Sequence, residues 1–401
     1  MQEGNVVNYL ERAKELVPEI TENRRHIHHN PEAGMDVEQT AAYVKMKLEE
    51  MGYTPRDIGK NGVTAAVGKG SGIDGGKVFL LRADMDALRM QEESGLEFAS
   101  QNPGVAHCCG HDLHTSMLLG AARMLKENED ALEGTVKLLF QPGEEDMQGA
   151  RNMLEAGILD GPKVDAALCI HVNSVVPAGV FMIFQGPACA SSDLFTIRVK
   201  GHGTHGSTPN KGVDPINAAA HIHIALQELQ AREIRAGEVG VLTIGSIHGG
   251  SAFNVIPNEV KMQGTIRTYS KEIREMVIER MKEISESVAK AFRAQAEVIM
   301  DENYAIPLVA DDKVALSAYN ALGEIFQEKQ LKLLSKCFPG SEDFAFIADT
   351  VPSSFIVLGA AVGKDVEYGQ HHPKVRFNES CLPLGAAAYA QVAEQWLREH
   401  A

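Results

Sequence analysis

An α/β domain interrupted by a smaller α+β unit is the fold this sequence predicts, on three observations. Short apolar runs such as Val78-Phe79-Leu80-Leu81, Leu138-Leu139-Phe140 and Ala166-Ala167-Leu168-Cys169-Ile170 read as buried strands. Each leads into residues able to bind a ligand, and in open α/β sheets the functional crevice lies beyond the carboxyl ends of the strands. Between residues 191 and 303 the pattern becomes strand, helix, strand, strand, helix, strand, the order of a ferredoxin-like unit. A chain of 401 residues exceeds what one core usually supports. The expectation is therefore a domain in two parts, 1–190 and 304–401, with residues 191–303 inserted between them.

Taken in order, Val6, Tyr9, Leu10, Ala13, Leu16, Val17 and Ile20 recur at helical spacing and predict one amphipathic helix from Val6 to Arg25. The histidine-rich stretch that follows, His26-Ile27-His28-His29-Asn30-Pro31, fits a helix end, where imidazolium suits the negative end of the dipole and Asn-Pro marks a turn. It is not taken as a ligand cluster. A helix over Val37–Met51 precedes strands at Val63–Val67 and Val78–Ala83, and a helix is predicted over Leu113–Lys126. In the insert, strands are expected at Leu194–Val199, Val239–Ile247, Val255–Thr268 and Ala296–Met300, with helices at Pro215–Ala231 and Lys271–Phe292. The last part carries helices at Lys313–Glu328 and Leu384–Glu399 around a strand at Ser354–Leu358.

Composition excludes several classes. With 38 basic against 54 acidic side chains the formal charge is −16, which argues against nucleic acid or an anionic membrane as partner. Met1-Gln2-Glu3-Gly4-Asn5 lacks a basic n-region with an apolar stretch behind it, and no apolar run reaches membrane-spanning length. The six cysteines show no framework spacing, which suits a reducing cytoplasm.

The densest chemistry lies in His107-Cys108-Cys109-Gly110-His111-Asp112. Thiolate and imidazole are ligands that zinc and its first-row neighbours accept, and Gly110 lets the backbone turn tightly enough for Cys109 and His111 to face one ion. The competing reading is a buried free cysteine beside a helix N-cap. Two further strand ends add weight to the metal: Glu144-Glu145 after Pro142-Gly143, and His171 after Ile170. Asp84 and Asp86, past the strand that ends near Ala83, are placed to ligate, to orient a ligating histidine, or to pair with Arg82.

With these stretches placed, the chain resembles the M20 family of metallopeptidases, within it the aminoacylase, hippurate hydrolase and auxin-conjugate amidohydrolase branch. The resemblance spans nearly the whole length. It rests on Arg82-Ala83-Asp84-Met85-Asp86-Ala87-Leu88, Cys109-Gly110-His111-Asp112, Gln141-Pro142-Gly143-Glu144-Glu145, His171-Val172, Gly203-Thr204-His205, Asn254-Val255-Ile256-Pro257, Gly264-Thr265-Ile266-Arg267, Gly340-Ser341-Glu342-Asp343-Phe344 and His371-His372-Pro373. Each motif is weak alone; their order makes them specific. Many other branches carry His-x-Asp where this chain has Arg82-Ala83-Asp84, and Asp where it has Cys109. Arg and Cys are what the amidohydrolase branch carries.

The resemblance implies a central mixed sheet flanked by helices, of the di-metal exopeptidase type, with an inserted ferredoxin-like dimerisation domain. It implies two divalent ions per subunit, bridged by Cys109 and completed by His111, Glu145, His171 and His371, with His372 a neighbour. Zinc or manganese is the expected metal, nickel or cobalt the other options. Glu144, beside a ligand but not one itself, becomes the general base, and His205 of the insert a donor to the active site of the other subunit. Asn254 and Arg267 are candidates to hold a substrate carboxylate, for which a guanidinium fork is suited. The expected reaction is hydrolysis of N-acyl amino acids; the rival is a dipeptidase or carboxypeptidase with the same centre. From another class comes a catalytically silent protein that kept the fold, against which the retention of Glu144 and all five ligand positions counts. His202, His221, His223, His248 and His400 are assigned no chemistry.

Overall fold

In the computed structural model, which describes residues 8–68, 76–363 and 368–401, the apolar runs of the outer parts of the chain pair into a mixed eight-stranded sheet. Its strands are β1 (Arg56–Ile58), β2 (Gly62–Val67), β3 (Val78–Asp84), β4 (Thr135–Gln141), β5 (Ala166–Asn173), β6 (Phe181–Phe184), β7 (Leu331–Leu334) and β8 (Ser353–Gly359), in the order β1-β2-β4-β3-β5-β8-β6-β7. The central strands β4, β3, β5 and β8 run parallel to one another. β3, β4 and β8 are buried along their whole length, as parallel strands covered on both faces are. The antiparallel pairs are β1 with β2, β2 with β4 and β6 with β8. Helices α1 (Tyr9–Glu15), α2 (Val17–His29), α3 (Glu38–Glu50), α4 (His111–Glu127), α5 (Gly149–Glu155), α6 (Asp312–Gly323) and α7 (Leu382–Glu399) complete the layers. α4 and α7 are buried nearly all round and share one core with the sheet.

The chain divides into two units, the first comprising Met1–Gly186, Val309–Lys336 and Asp343–Ala401, the second Pro187–Leu308 and Cys337–Glu342. In the second, strands Gly240–Gly249, Glu259–Thr268, Asp193–Lys200 and Gln295–Met300 lie side by side in that order, all antiparallel. Alternate residues Phe195, Ile197 and Val199 point into a separate core with Ile222 and Leu226 of helix Pro215–Glu228 and Val277 and Met281 of helix Lys271–Ala291. This is the β-α-β-β-α-β order the sequence predicts.

Several elements differ from expectation for local reasons. The single opening helix is two, α1 and α2, broken at Leu16 with Pro18 in the first turn of the second; Val6, its expected start, lies outside the described residues. The strand expected over Val255–Thr268 breaks at Pro257, which has no N–H to give a ladder, into Val255–Ile256 and Glu259–Thr268. α6 stops at Gly323 instead of reaching Glu328, and β5 runs through His171 to Asn173 instead of ending before it. Among the described residues no helix is long and apolar enough to cross a membrane.

Candidate metal centre

Four chain segments of the first unit bring ligating groups together. Cys109 precedes α4, and Gly110 caps that helix at φ 103°. A Cβ at Gly110 would lie 2.5 Å from Val172 Cγ2, so the turn needs glycine. His111 follows as the first helical residue. β4 ends at Gln141, and the Pro142-Gly143 turn carries Glu144 and Glu145 past the end of β3, where Asp86 Oδ1 and Oδ2 accept the Glu144 and Glu145 amides at 3.1 Å each. His171 projects from β5. Its Nδ1 bonds the Val172 carbonyl at 2.7 Å, which fixes that nitrogen as the N–H and presents Nε2 to Cys109 Sγ at 3.6 Å. His371 comes from a distant loop with φ 63°, its amide held by the Cys108 carbonyl at 2.9 Å.

These groups form two sets of three sharing one sulfur. Cys109, His111 and His171 offer atoms all within 4.8 Å of one another, and so do Cys109, Glu145 and His371. The His371 Nε2 to Glu145 Oε1 distance is 3.4 Å, and His111 Nε2 stands 3.8 Å from Glu145 Oε1 and 3.9 Å from Glu144 Oε2. Donors held about 2.0–2.3 Å from one tetrahedral ion are about 3.3–3.8 Å apart, so these separations suit ligands to shared cations better than hydrogen bonds. Both His111 ring nitrogens and Glu145 Oε1 are buried without a hydrogen-bond partner, and native folds seldom leave such groups unless something else occupies them. Burial and Glu145 push the Cys109 thiol up, but His111 and His171 more than offset them and bring it down to about 6, which favours the thiolate form that a metal would bind. The Cys109 thiolate and the Glu145 carboxylate beside it push His371 up to about 10. The donor set fits a pair of divalent cations with Cys109 common to both.

The neighbouring triad Asp84, His111 and His114 is different. His114 gives Nδ1 to Asp84 at 2.6 Å and receives the Val172 amide on Nε2 at 2.7 Å, so neither nitrogen is left to ligate. Burial lowers the His114 pKa, consistent with the neutral ring. Asp84 also accepts from Arg82 at 2.7 Å, and Arg82, fully buried, continues to Asp343 at 2.7 Å, Gln141 at 3.0 Å and the Cys169 sulfur at 3.4 Å. Asp84 thus pairs with Arg82 and His114, its Oδ1 3.8 Å from His111 Nδ1, while Asp86 stands nearer the same nitrogen at 3.4 Å. Asp343 receives Gln141 and the Ala150 amide as well.

The other expected site residues lie in the second unit. His205 pairs with Val255 on a two-residue strand, bonds the Ser207 hydroxyl at 2.7 Å and is exposed. Asn254 is beside it, its carbonyl accepting the Gly206 amide at 2.7 Å. Arg267 is on strand Glu259–Thr268, opposite Val241, with Nη1 3.1 Å from the Ile266 carbonyl. Of the histidines left without chemistry, His221 stacks on Phe292 and His400 on Trp396. His28 bonds Asp112 at 2.9 Å and Glu92 at 3.1 Å, and Arg24 bonds Asp112 at 2.7 Å, pinning the first turn of α4.

The family model for "Peptidase family M20/M25/M40" matches residues 80–395. The chain is 36% identical to an N-acetyl-L-cysteine deacetylase of Bacillus subtilis over 383 residues, covering 95% of this chain and 88% of the relative. It is 37% identical to thermostable carboxypeptidase 2 of Saccharolobus solfataricus over 388 residues, covering 95% and 96%. Among solved structures, a dinuclear metal-binding peptidase of the M20 family from Bacillus subtilis superposes with a TM-score of 0.82 at 32% identity, covering 96% of this chain and 99% of that one. With a family match over most of its length and relatives this similar from end to end, the chain belongs to peptidase family M20/M25/M40 and is a metal-dependent hydrolase.

Proposed function

We propose that the protein hydrolyses the amide bond of N-acyl amino acids, giving a carboxylate and a free amino acid, at a centre of two divalent cations held by Cys109, His111, Glu145, His171 and His371. The observation that carries this is the pair of ligand triads sharing the Cys109 sulfur, with Glu144 at their edge. Two divalent ions bound there would lower the pKa of a water and polarise the substrate carbonyl. Glu144, held through its amide by Asp86, takes the proton of the attacking water and hands it to the departing nitrogen. His205 donates to the oxyanion, and Asn254 and Arg267 hold the carboxylate of the amino-acid portion. The second unit is read as the homodimerisation domain, with His205 serving the active site of the other subunit. Zinc or manganese is the preferred metal, nickel or cobalt the alternative, and six free cysteines favour the cytoplasm.

A relative that deacetylates N-acetylcysteine supports the acyl-amino-acid reading. A carboxypeptidase of equal similarity supports a second one, in which the same centre cleaves peptides. The discriminating experiment is a hydrolysis panel of N-acetyl, N-benzoyl, long-chain acyl and indole-acetyl amino acids with dipeptides, on chelator-stripped enzyme restored with single metals. Preference for dipeptides would overturn the first reading in favour of the second. Exchange of Glu144 for Gln is expected to leave metal content intact and lower turnover by about 10²–10⁴-fold; undiminished turnover would remove Glu144 from the mechanism.

A further inference from the structure

We infer that Gln370 is a positioning residue of this centre, holding the bridging thiolate and the tautomer of His171 at once. The inference rests on the metal-centre reading above and adds a residue that none of the matched motifs contains. The Gln370 carboxamide nitrogen donates to the Cys109 carbonyl at 3.0 Å and to the Val172 carbonyl at 3.2 Å, and it stands 3.7 Å from Cys109 Sγ. The Val172 carbonyl is the same oxygen that receives His171 Nδ1 at 2.7 Å. One amide therefore fixes the backbone of the thiolate ligand and the acceptor that orients an imidazole ligand, and places an N–H near the sulfur.

The next residue is His371, whose φ of 63° is unusual for a residue with a side chain. Such a conformation persists when its surroundings over-determine it. The bond from the His371 amide to the Cys108 carbonyl and the Gln370 side chain on Cys109 make that determination from both sides. Three of the five candidate ligands, Cys109, His171 and His371, thus depend on one half-buried carboxamide. Partners of this kind set ligand orientation and basicity, and losing one typically costs about 10–100-fold in metal affinity.

The test uses full-length protein loaded with Co²⁺, whose thiolate charge-transfer absorption reports the sulfur directly. Gln370→Met keeps length and removes both donors; Gln370→Glu keeps shape and sets an acceptor against two carbonyls. For Gln370→Met the expected result is about 10–100-fold weaker Co²⁺ binding in chelator competition, with the charge-transfer band moved to longer wavelength as the sulfur loses its N–H. The melting temperature of the metal-free protein should stay that of the parent. Gln370→Glu should lose more affinity than Gln370→Met. Unchanged affinity and band in Gln370→Met would overturn the assignment, as would a fall in metal-free melting temperature that accounts for the whole loss. A parent protein with no thiolate band, or a band that survives Cys109→Ser, would instead overturn the metal-centre reading, and this inference with it.

Discussion

Two clusters of polar side chains lie near the ends of the same central strands, and they are built in opposite ways. Arg82, Asp84, His114, Gln141 and Asp343 are fully buried and joined by contacts of 2.6–3.0 Å, the spacing of shared protons. Cys109, His111, Glu145, His171 and His371 stand 3.4–3.8 Å apart where nearest, and three of their buried polar atoms have no hydrogen-bond partner. The first cluster satisfies itself; the second is complete only around something else. Composition does not separate them, since both mix acids with bases. Distance does.

The contrast breaks first, and with the largest effect, at Arg82. Removing one partner of a buried ionic network leaves the others charged and uncompensated, which costs about 3–5 kcal/mol. Arg82→Met should therefore lower the unfolding free energy of the metal-free protein by about that amount in denaturant titration. A loss below about 1 kcal/mol would mean that the cluster is not a structural network and that its short contacts carry little weight.

Next comes restoration of metal to chelator-stripped protein. A ligand that binds only the folded state stabilises it by about 2.7 kcal/mol at one hundred times its dissociation constant. Calorimetry with and without Zn²⁺ should show an upward shift of melting temperature in the parent and in Arg82→Met alike, but none in Cys109→Ala. A shift that persisted without Cys109 would place the cation elsewhere.

How much of this the sequence discloses follows from the same contrast. Groups able to ligate metals are chemically conspicuous, so Cys109, His111, the Glu144–Glu145 pair and His171 stand out as residues, whereas His371, and Glu145 over Glu144, are implied only by the resemblance to the family; the order of strands and helices follows from apolar spacing. What holds those groups is less conspicuous. Asp84 and Asp86 are the same residue type two positions apart, and only the structure shows one turned to Arg82 and His114 and the other to His111 and the Glu144–Glu145 amides. Gln370 carries no charge and no thiolate or imidazole to draw attention. His171 lies inside β5, not beyond it, because the neighbouring strand β8 continues the ladder through Val357 opposite it. Strands β6 and β7, four residues each, are too short for periodicity to reveal. The break at Leu16 is the exception, since Pro18 stood in view as a first-turn residue.

The smallest effect expected is also the sharpest discriminator. Glu145 is largely shielded from solvent, which works against its ionisation, but His371 and His111 overcome this and hold its pKa below the ordinary value. Two opposing contributions would be lost together in Glu145→Gln: the desolvation cost of the carboxylate, and an attraction to His371, whose side chain is 55% exposed and so partly screened by water. In metal-free protein they should nearly cancel, leaving stability within about 1 kcal/mol of the parent. With metal restored the same substitution removes an anionic ligand, and the metal-dependent rise in melting temperature should shrink. Arg82→Met predicts the reverse pattern, a large loss without metal and an unchanged increment with it. If Glu145→Gln instead destabilised the stripped protein as strongly as Arg82→Met, the second cluster would be one more internal ion-pair network, and its wide spacing would need another cause than a cation.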